Sequence, residues 1–174
     1  RAIQIKPDYA EAYYSRGNVF FDLKKMESAL ASYDKAIQIK PDYAEAHCNL
    51  GILFKDQNML DDAIKAYAKA LLIKPDYVIA HNLMGIALKE QGKLDKSIDT
   101  YQQAIHIQPD HAEAHKNLGI ILLLKGNLSQ GWKEYGWRWK CDDIISKNRD
   151  FPQPSWDGTN LNGKSILVWA EQGI

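Results

Sequence analysis

The chain has 174 residues, of which 45% are hydrophobic and 25% charged, with a formal net charge of +0 and no long apolar run. Such a chain is expected to be soluble without a membrane span, and its balanced charge removes the simplest electrostatic case for nucleic acid or an anionic membrane as a partner. Cys48 and Cys141 lie far apart with no CxxC pair, which fits a reducing, cytoplasmic location and supplies no zinc or redox motif. From Arg1 to Lys6 the sequence reads as the tail of a helix, so residues 1–9 are expected to be a partial unit of an array that runs on upstream. Opening on Arg1 rather than Met, with no basic-then-apolar leader, the chain is expected to be a piece of a longer protein.

AIQIKPDYAEA runs from Ala2 to Ala12 and returns unchanged from Ala36 to Ala46. A period of 34 is carried by Pro7, Pro41, Pro75 and Pro109, by Gly17, Gly51, Gly85 and Gly119, by Tyr33, Tyr67, Tyr101 and Tyr135, and by Ala36, Ala70 and Ala104. Units fall at 10–43, 44–77, 78–111 and 112–145, the last degenerate, and each reads as two helices. Asp8, Asp42 and Asp110 are each followed three residues later by glutamate, which predicts capping boxes; Asp76 is followed by Ile79 and has an incomplete one. The first helix of each unit should stop at a column holding Asn58, Gly92 and Gly126, residue types that tolerate a left-handed stop, with Lys24 as the exception. A second helix follows, with Leu60, Ala63, Ile64, Tyr67 and Leu71 at helical spacing, and ends before the next proline.

Leu50-Gly51, Phe54, Ala63, Tyr67, Ala70 and Pro75 fall in a pattern that resembles the tetratricopeptide repeat, over about residues 1–145. The resemblance implies an all-α fold, a right-handed α-solenoid of helix-turn-helix units with a concave inner wall. The repetition has a physical reason: one helix pair cannot bury its apolar face alone, and identical sequence makes identical docking surfaces. The glycine column lets two helices approach closely while tyrosine fills the gap opposite.

His47, His81 and His115 form a column headed by Tyr13, and packing rather than metal binding is expected of it. Stacked units stand about 10 Å apart, too far to share a metal whose bonds are roughly 2 Å long. His106 and His111 flank Pro109 in a turn and should be exposed. The resemblance implies that the first helices line the groove and that their inner columns touch ligand. Those columns are Glu11, Glu45, Ile79 and Glu113; then Ser15, Asn49, Leu83 and Asn117; then Asn18, Ile52, Ile86 and Ile120; then Asp22, Asp56, Glu90 and Leu124. Spacings of three and four place all of them on one helix face. Asn49 and Asn117 stand where some arrays carry an asparagine ladder that grips the main chain of an extended peptide, since an amide offers both donor and acceptor. Ser15 and Leu83 interrupt it. Acidic and apolar residues outweigh Lys and Arg here, which disfavours a clamp for a terminal carboxylate and predicts a peptide with basic or apolar character.

In the last unit Gly131 and Arg138 replace the small alanines and Asp143 stands where proline is due, while Trp132, Tyr135, Trp137 and Trp139 crowd in. Trp132, Tyr135 and Trp139, at helical spacing, are expected to share the face that covers the end of the solenoid. Residues 146–174 read as a linker with Pro152, Pro154, Gly158 and Gly163, followed by a short strand, Ser165 to Ala170. The ordered set GW..Y..RW, FPQPSW.G, L.GKSILVW and EQG resembles bacterial repeat-linked glycosyltransferases akin to O-linked N-acetylglucosamine transferases. It implies that Glu171, Gln172 and Gly173 end the first strand of a truncated α/β domain.

The expected molecule is a noncatalytic scaffold for a protein or peptide partner, with no cofactor, metal, nucleic acid or membrane, serving as the recognition arm of a larger glycosyltransferase. The alternative is a fragment that keeps some nucleotide-sugar or acceptor affinity. An unpaired apolar surface at the N-terminal unit is a third expectation, self-association.

Overall fold

The structure, a computed structural model, describes residues 8–141. The expected linker and strand, the transferase-like motifs within residues 146–174 and the helix tail at 1–6 lie outside the described residues. Eight α-helices follow one another: α1 Ala10–Asp22, α2 Met26–Ile39, α3 Ala44–Asp56, α4 Leu60–Ile73, α5 Val78–Glu90, α6 Leu94–Ile107, α7 Ala112–Leu124 and α8 Leu128–Tyr135. A 3₁₀ turn, Gly136–Lys140, ends the described chain before Cys141. The fold is an all-α solenoid of four helical hairpins.

The first three hairpins each close on one contact. A Cβ added at Gly17, Gly51 or Gly85 would stand 2.5 Å from the ring of Tyr33, Tyr67 or Tyr101, so only glycine admits the ring. Those rings are the largest fully buried side chains, at 1%, 0% and 0% exposure. Each contributes on the order of 3 kcal/mol through burial. Around them sit small residues: Ala29, Ala36, Ala63, Ala70 and Ala104 are fully buried, which lets the two helices run close together.

The hairpins stack so that every first helix touches its successor in the next unit, α1 to α3, α3 to α5 and α5 to α7, whereas successive second helices do not touch among the described residues. That asymmetry bends the stack toward the first helices and makes their exposed face the inner wall.

Helix ends depart from the sequence expectation in two ways. No capping box forms on Asp8, Asp42 or Asp110. Amide hydrogen bonds from Tyr43 to Lys40 O, Tyr77 to Lys74 O and His111 to Gln108 O close a turn through each proline-aspartate pair, and the helix starts only after it. Tyr9, Tyr43 and Tyr77 therefore occupy the cap position without a side-chain bond. His111 caps α7 instead, its Nδ1 accepting from the Ala114 amide at 3.1 Å, and it is half-buried rather than exposed. At the other end, Lys24 is no conformational exception. Its φ is +58°, beside +60° at Asn58, +75° at Gly92 and +79° at Gly126.

The fourth hairpin is built differently. A Cβ on Gly119 would meet the Tyr135 backbone, with Cα at 2.8 Å, instead of a tyrosine ring. A Cβ on Gly131 would stand 2.8 Å from the Leu123 side chain, so the missing alanine methyl is what admits Leu123 of α7 against α8. The aromatic face expected of Trp132, Tyr135 and Trp139 forms only in part: Trp132 meets Tyr135 edge-on at 5.9 Å, but α8 ends at Tyr135 and the 3₁₀ turn changes the phase before Trp139. Trp132 and Trp139 remain 59% and 39% exposed. Trp137 does the covering, stacked on His115 at 4.1 Å and 6°.

Candidate functional site

The four inner columns lie along α1, α3, α5 and α7, and none of their sixteen residues is fully buried. At the outermost level Glu11 and Glu45 are paired at 3.9 Å with Lys40 and Lys74, which also stand 4.8 and 5.0 Å over the rings of Tyr43 and Tyr77. Such exposed pairs contribute less than about 1 kcal/mol each. In the third unit Ile79 and Gln108 replace the glutamate and the lysine together, so neither charge is stranded. Glu113 instead accepts from Asn82 Nδ2 at 3.4 Å.

The second and third levels carry the hydrogen-bonding capacity. Ser15 turns its hydroxyl back to Glu11 O at 2.8 Å. Asn49 Nδ2 donates to Asn18 Oδ1 at 2.8 Å and to the Tyr14 hydroxyl at 3.1 Å, and the Tyr33 hydroxyl donates to the same Asn18 oxygen at 2.9 Å. Asn117 Nδ2 donates to Asn82 Oδ1 at 3.1 Å. The two asparagines expected to hold a peptide main chain are thus already tied to the preceding unit by their amino groups. Between them Leu83 packs with Ile52 against the buried Cys48 cluster, where no polar partner is needed. Ile86 packs against the next cluster, beside Tyr101 and Leu118, and Ile120 is half-buried.

At the innermost level Asp22, Asp56, Glu90 and Leu124 are all exposed. Asp56 has Lys55 at 3.8 Å. Among the described residues, a pocket of 290 Å³ opens between the first and second units, lined by Asn18, Phe21, Asp22, Tyr33, Asn49 and Ile52.

Asn82 was not singled out by sequence, and neither was Tyr14. Both sit one residue before the serine-asparagine column, and their polar character beside Asn49 and Asn117 was the available signal. Inside the wall, burial pushes the Tyr33 hydroxyl and the Cys48 thiol each up to about 12. Both stay protonated near neutrality, so the thiol is a packing group rather than a nucleophile. Histidines of the recurring column bind their own turns: Nε2–H of His47, His81 and His115 donates to the carbonyls of Pro41, Pro75 and Pro109 at 3.0, 2.9 and 3.0 Å. His115 is further paired through Nδ1 with Glu134 at 2.5 Å. Among the described residues no three His, Cys, Asp or Glu side chains gather as a metal site, and no helix is long and apolar enough to cross a membrane.

Comparison with known proteins gives the same repeat. The family described as "TPR repeat" matches residues 17–58 and 87–126, and "Tetratricopeptide repeat" matches 44–77. No curated protein matches the chain. Among solved structures, a crystal structure of MamA is similar at 22% identity and a TM-score of 0.73, over 84% of this chain and 86% of that one. The first TPR of Spaghetti (RPAP3), bound to HSP90 peptide SRMEEVD, is similar at 20% identity and a TM-score of 0.65, over 67% of this chain and 93% of that one. PilF of Pseudomonas aeruginosa is similar at 23% identity and a TM-score of 0.70, over 78% of this chain and 62% of that one. The 34-residue spacing, the glycine–tyrosine hairpins and these matches together identify the chain as a carrier of tetratricopeptide repeats.

Proposed function

We propose that the chain is a protein-interaction scaffold that receives an extended segment of a partner along the inner wall of α1, α3, α5 and α7. The observation that carries this reading is the chemistry of the wall. Its four columns hold six carboxylates and no cation, around an apolar strip of Ile52, Leu83, Ile86 and Ile120. Glu11, Glu45 and Asp56 have lysines from neighbouring columns beside them, so the unbalanced negative potential lies with Asp22, Glu90 and Glu113. A segment with basic and apolar side chains complements such a surface, and an acidic one is repelled. The RPAP3 repeat was solved with the acidic peptide SRMEEVD. The wall described here has the opposite bias, which argues for a different class of guest.

A peptide array scored for charge tests this. Basic and apolar peptides are expected to bind, and Ile86→Lys, which removes apolar surface and adds a like charge, is expected to weaken both; preferential binding of acidic peptides would overturn the reading.

A finer version makes the scaffold the recognition arm of a glycosyltransferase, and the motifs of residues 131–174 support it. Calorimetry with a nucleotide sugar separates the two roles. Heat from the sugar nucleotide alone favours a fragment with donor affinity, whereas heat from peptides alone favours the arm.

A further inference from the structure

The pocket between the first and second units differs from the rest of the wall in its unspent hydrogen-bonding valence. Asn18 Oδ1 already accepts two hydrogens, from the Tyr33 hydroxyl and from Asn49 Nδ2. Asn49 has committed both amino hydrogens, to Asn18 and to Tyr14, so toward the pocket it can only accept through Oδ1. Tyr33 has given its one proton to Asn18 and can likewise only accept. Asp22 adds a carboxylate that has no ion-pair partner among the described residues. Asn18 Nδ2 is the single donor left. An enclosure with three acceptors, one of them anionic, and one donor calls for a cationic guest rich in N–H groups.

The rest of the lining agrees. Phe21 supplies an aromatic wall and already has a cation near it, Lys24 Nζ at 5.4 Å from the ring centre. Ile52 supplies an apolar floor for a methylene stem. At 290 Å³ the pocket lies just below the roughly 300–1,000 Å³ typical of drug-sized ligands, a size that suits one side chain rather than a cofactor.

Among the described residues the combination occurs once. One unit on, the corresponding residues are Ile52, Lys55, Asp56, Tyr67 and Leu83: the asparagines have become isoleucine and leucine, and Lys55 stands 3.8 Å from Asp56. The third unit carries Ile86, Lys89 and Glu90 at these positions.

We propose that this pocket is an arginine-selective subsite, which fixes the register of the bound segment by taking one guanidinium against Asp22, Asn49 Oδ1 and the Tyr33 oxygen. Planar and always charged, with five donors, a guanidinium fits this array of acceptors better than the compact ammonium of lysine. The proposal rests on the groove reading above for the rest of the segment, whose apolar side chains then run over Ile52, Leu83, Ile86 and Ile120.

The test uses the full chain and two small probes of equal shape, N-acetyl-arginine amide and the neutral N-acetyl-citrulline amide, followed by amide NMR shifts. The arginine probe is expected to move Asn18, Asp22 and Asn49 saturably and to bind at least about tenfold tighter than the citrulline probe, since charge-assisted hydrogen bonds are the part removed. Asp22→Asn should erase that difference and Asp56→Asn should leave it intact. Equal binding of the two probes, or equal effects of the two substitutions, overturns the subsite. The same arginine-to-citrulline exchange within an otherwise alanine- and leucine-based peptide separates the two claims. A peptide that binds no better than the arginine probe condemns the groove reading alone; one that binds well but ignores the exchange condemns the subsite alone.

Discussion

The Tyr33 hydroxyl donates to Asn18 Oδ1 at 2.9 Å, and in the next two hairpins the tyrosine is kept while Ile52 and Ile86 replace the asparagine. The hydroxyls of Tyr67 and Tyr101 are left buried without a protein hydrogen-bond partner. Tyr33→Phe is therefore expected to lose about 1 kcal/mol of stability, and Tyr67→Phe to be neutral or stabilising, since it removes an unpaired buried polar group. Urea midpoints measure both, and equal losses from the two substitutions would contradict the assignment.

Lys24 holds a left-handed φ of +58° at a position where Gly92 and Gly126 do so without a side chain. Lys24→Gly should gain about 0.5–1 kcal/mol, the relief of strain outweighing the exposed contact with Phe21. Gly92→Ala should lose a similar amount. Thermal melts with opposite shifts are the expected outcome; a melting point lowered by Lys24→Gly would show the strain to be negligible.

Gly51→Ala drives a methyl into the Tyr67 ring, whose nearest carbon stands 2.5 Å from the added atom. The ring is fully buried and has no room to rotate away, so the cost is about 1–3 kcal/mol. Gly136→Ala, where an added Cβ meets nothing within 4 Å, is the control and should be close to silent.

Trp137 and Trp132 are expected to differ although they are five residues apart. Trp137→Ala removes the ring stacked on His115 and the cation contact of Lys140 at 3.9 Å, and should cost about 1–2 kcal/mol. Trp132, 59% exposed, should tolerate alanine within about 0.5 kcal/mol. Calorimetric melts of the two variants decide it; a larger loss at Trp132 would restore the face expected from helical spacing.

Alkaline pH probes the same buried rings. Burial raises the Tyr33 hydroxyl from 10.0 to about 12 and raises those of Tyr67 and Tyr101 as well. With the neutral phenol favoured in the folded state, its stabilisation is complete below pH 10.0, where the unfolded chain would start to ionise, and is lost as the pH rises toward about 12. The near-ultraviolet signal of phenolate should therefore rise in two stages, the later one together with loss of helical circular dichroism. A single stage near 10.0 with the helices intact would refute the burial.

The hairpins were legible in the sequence because glycine, tyrosine and alanine recur at a fixed interval, and a close helix contact needs those residue types on opposite sides of it. The four columns could be grouped on one side of the first helices because spacings of three and four define a helix side irrespective of what it binds. The helix starts were misread because Asp42 and Glu45 satisfy a local pattern, whereas the turn closed by Tyr43 on Lys40 O takes up the aspartate. Trp139 was misplaced because one 3₁₀ turn breaks the period on which the expectation relied. Which way Asn49 and Asn18 point their amides is a property of four side chains from three helices, and no linear spacing encodes it.

The imidazoles strapped to Pro41, Pro75 and Pro109 have one more consequence. The strap uses the Nε2 proton, which the ring carries in its neutral form as well as in its cationic one. All three such protons are spent on the protein's own turns, so that edge of each ring is closed to a guest and serves only to fasten the bend ahead of the helix that carries it.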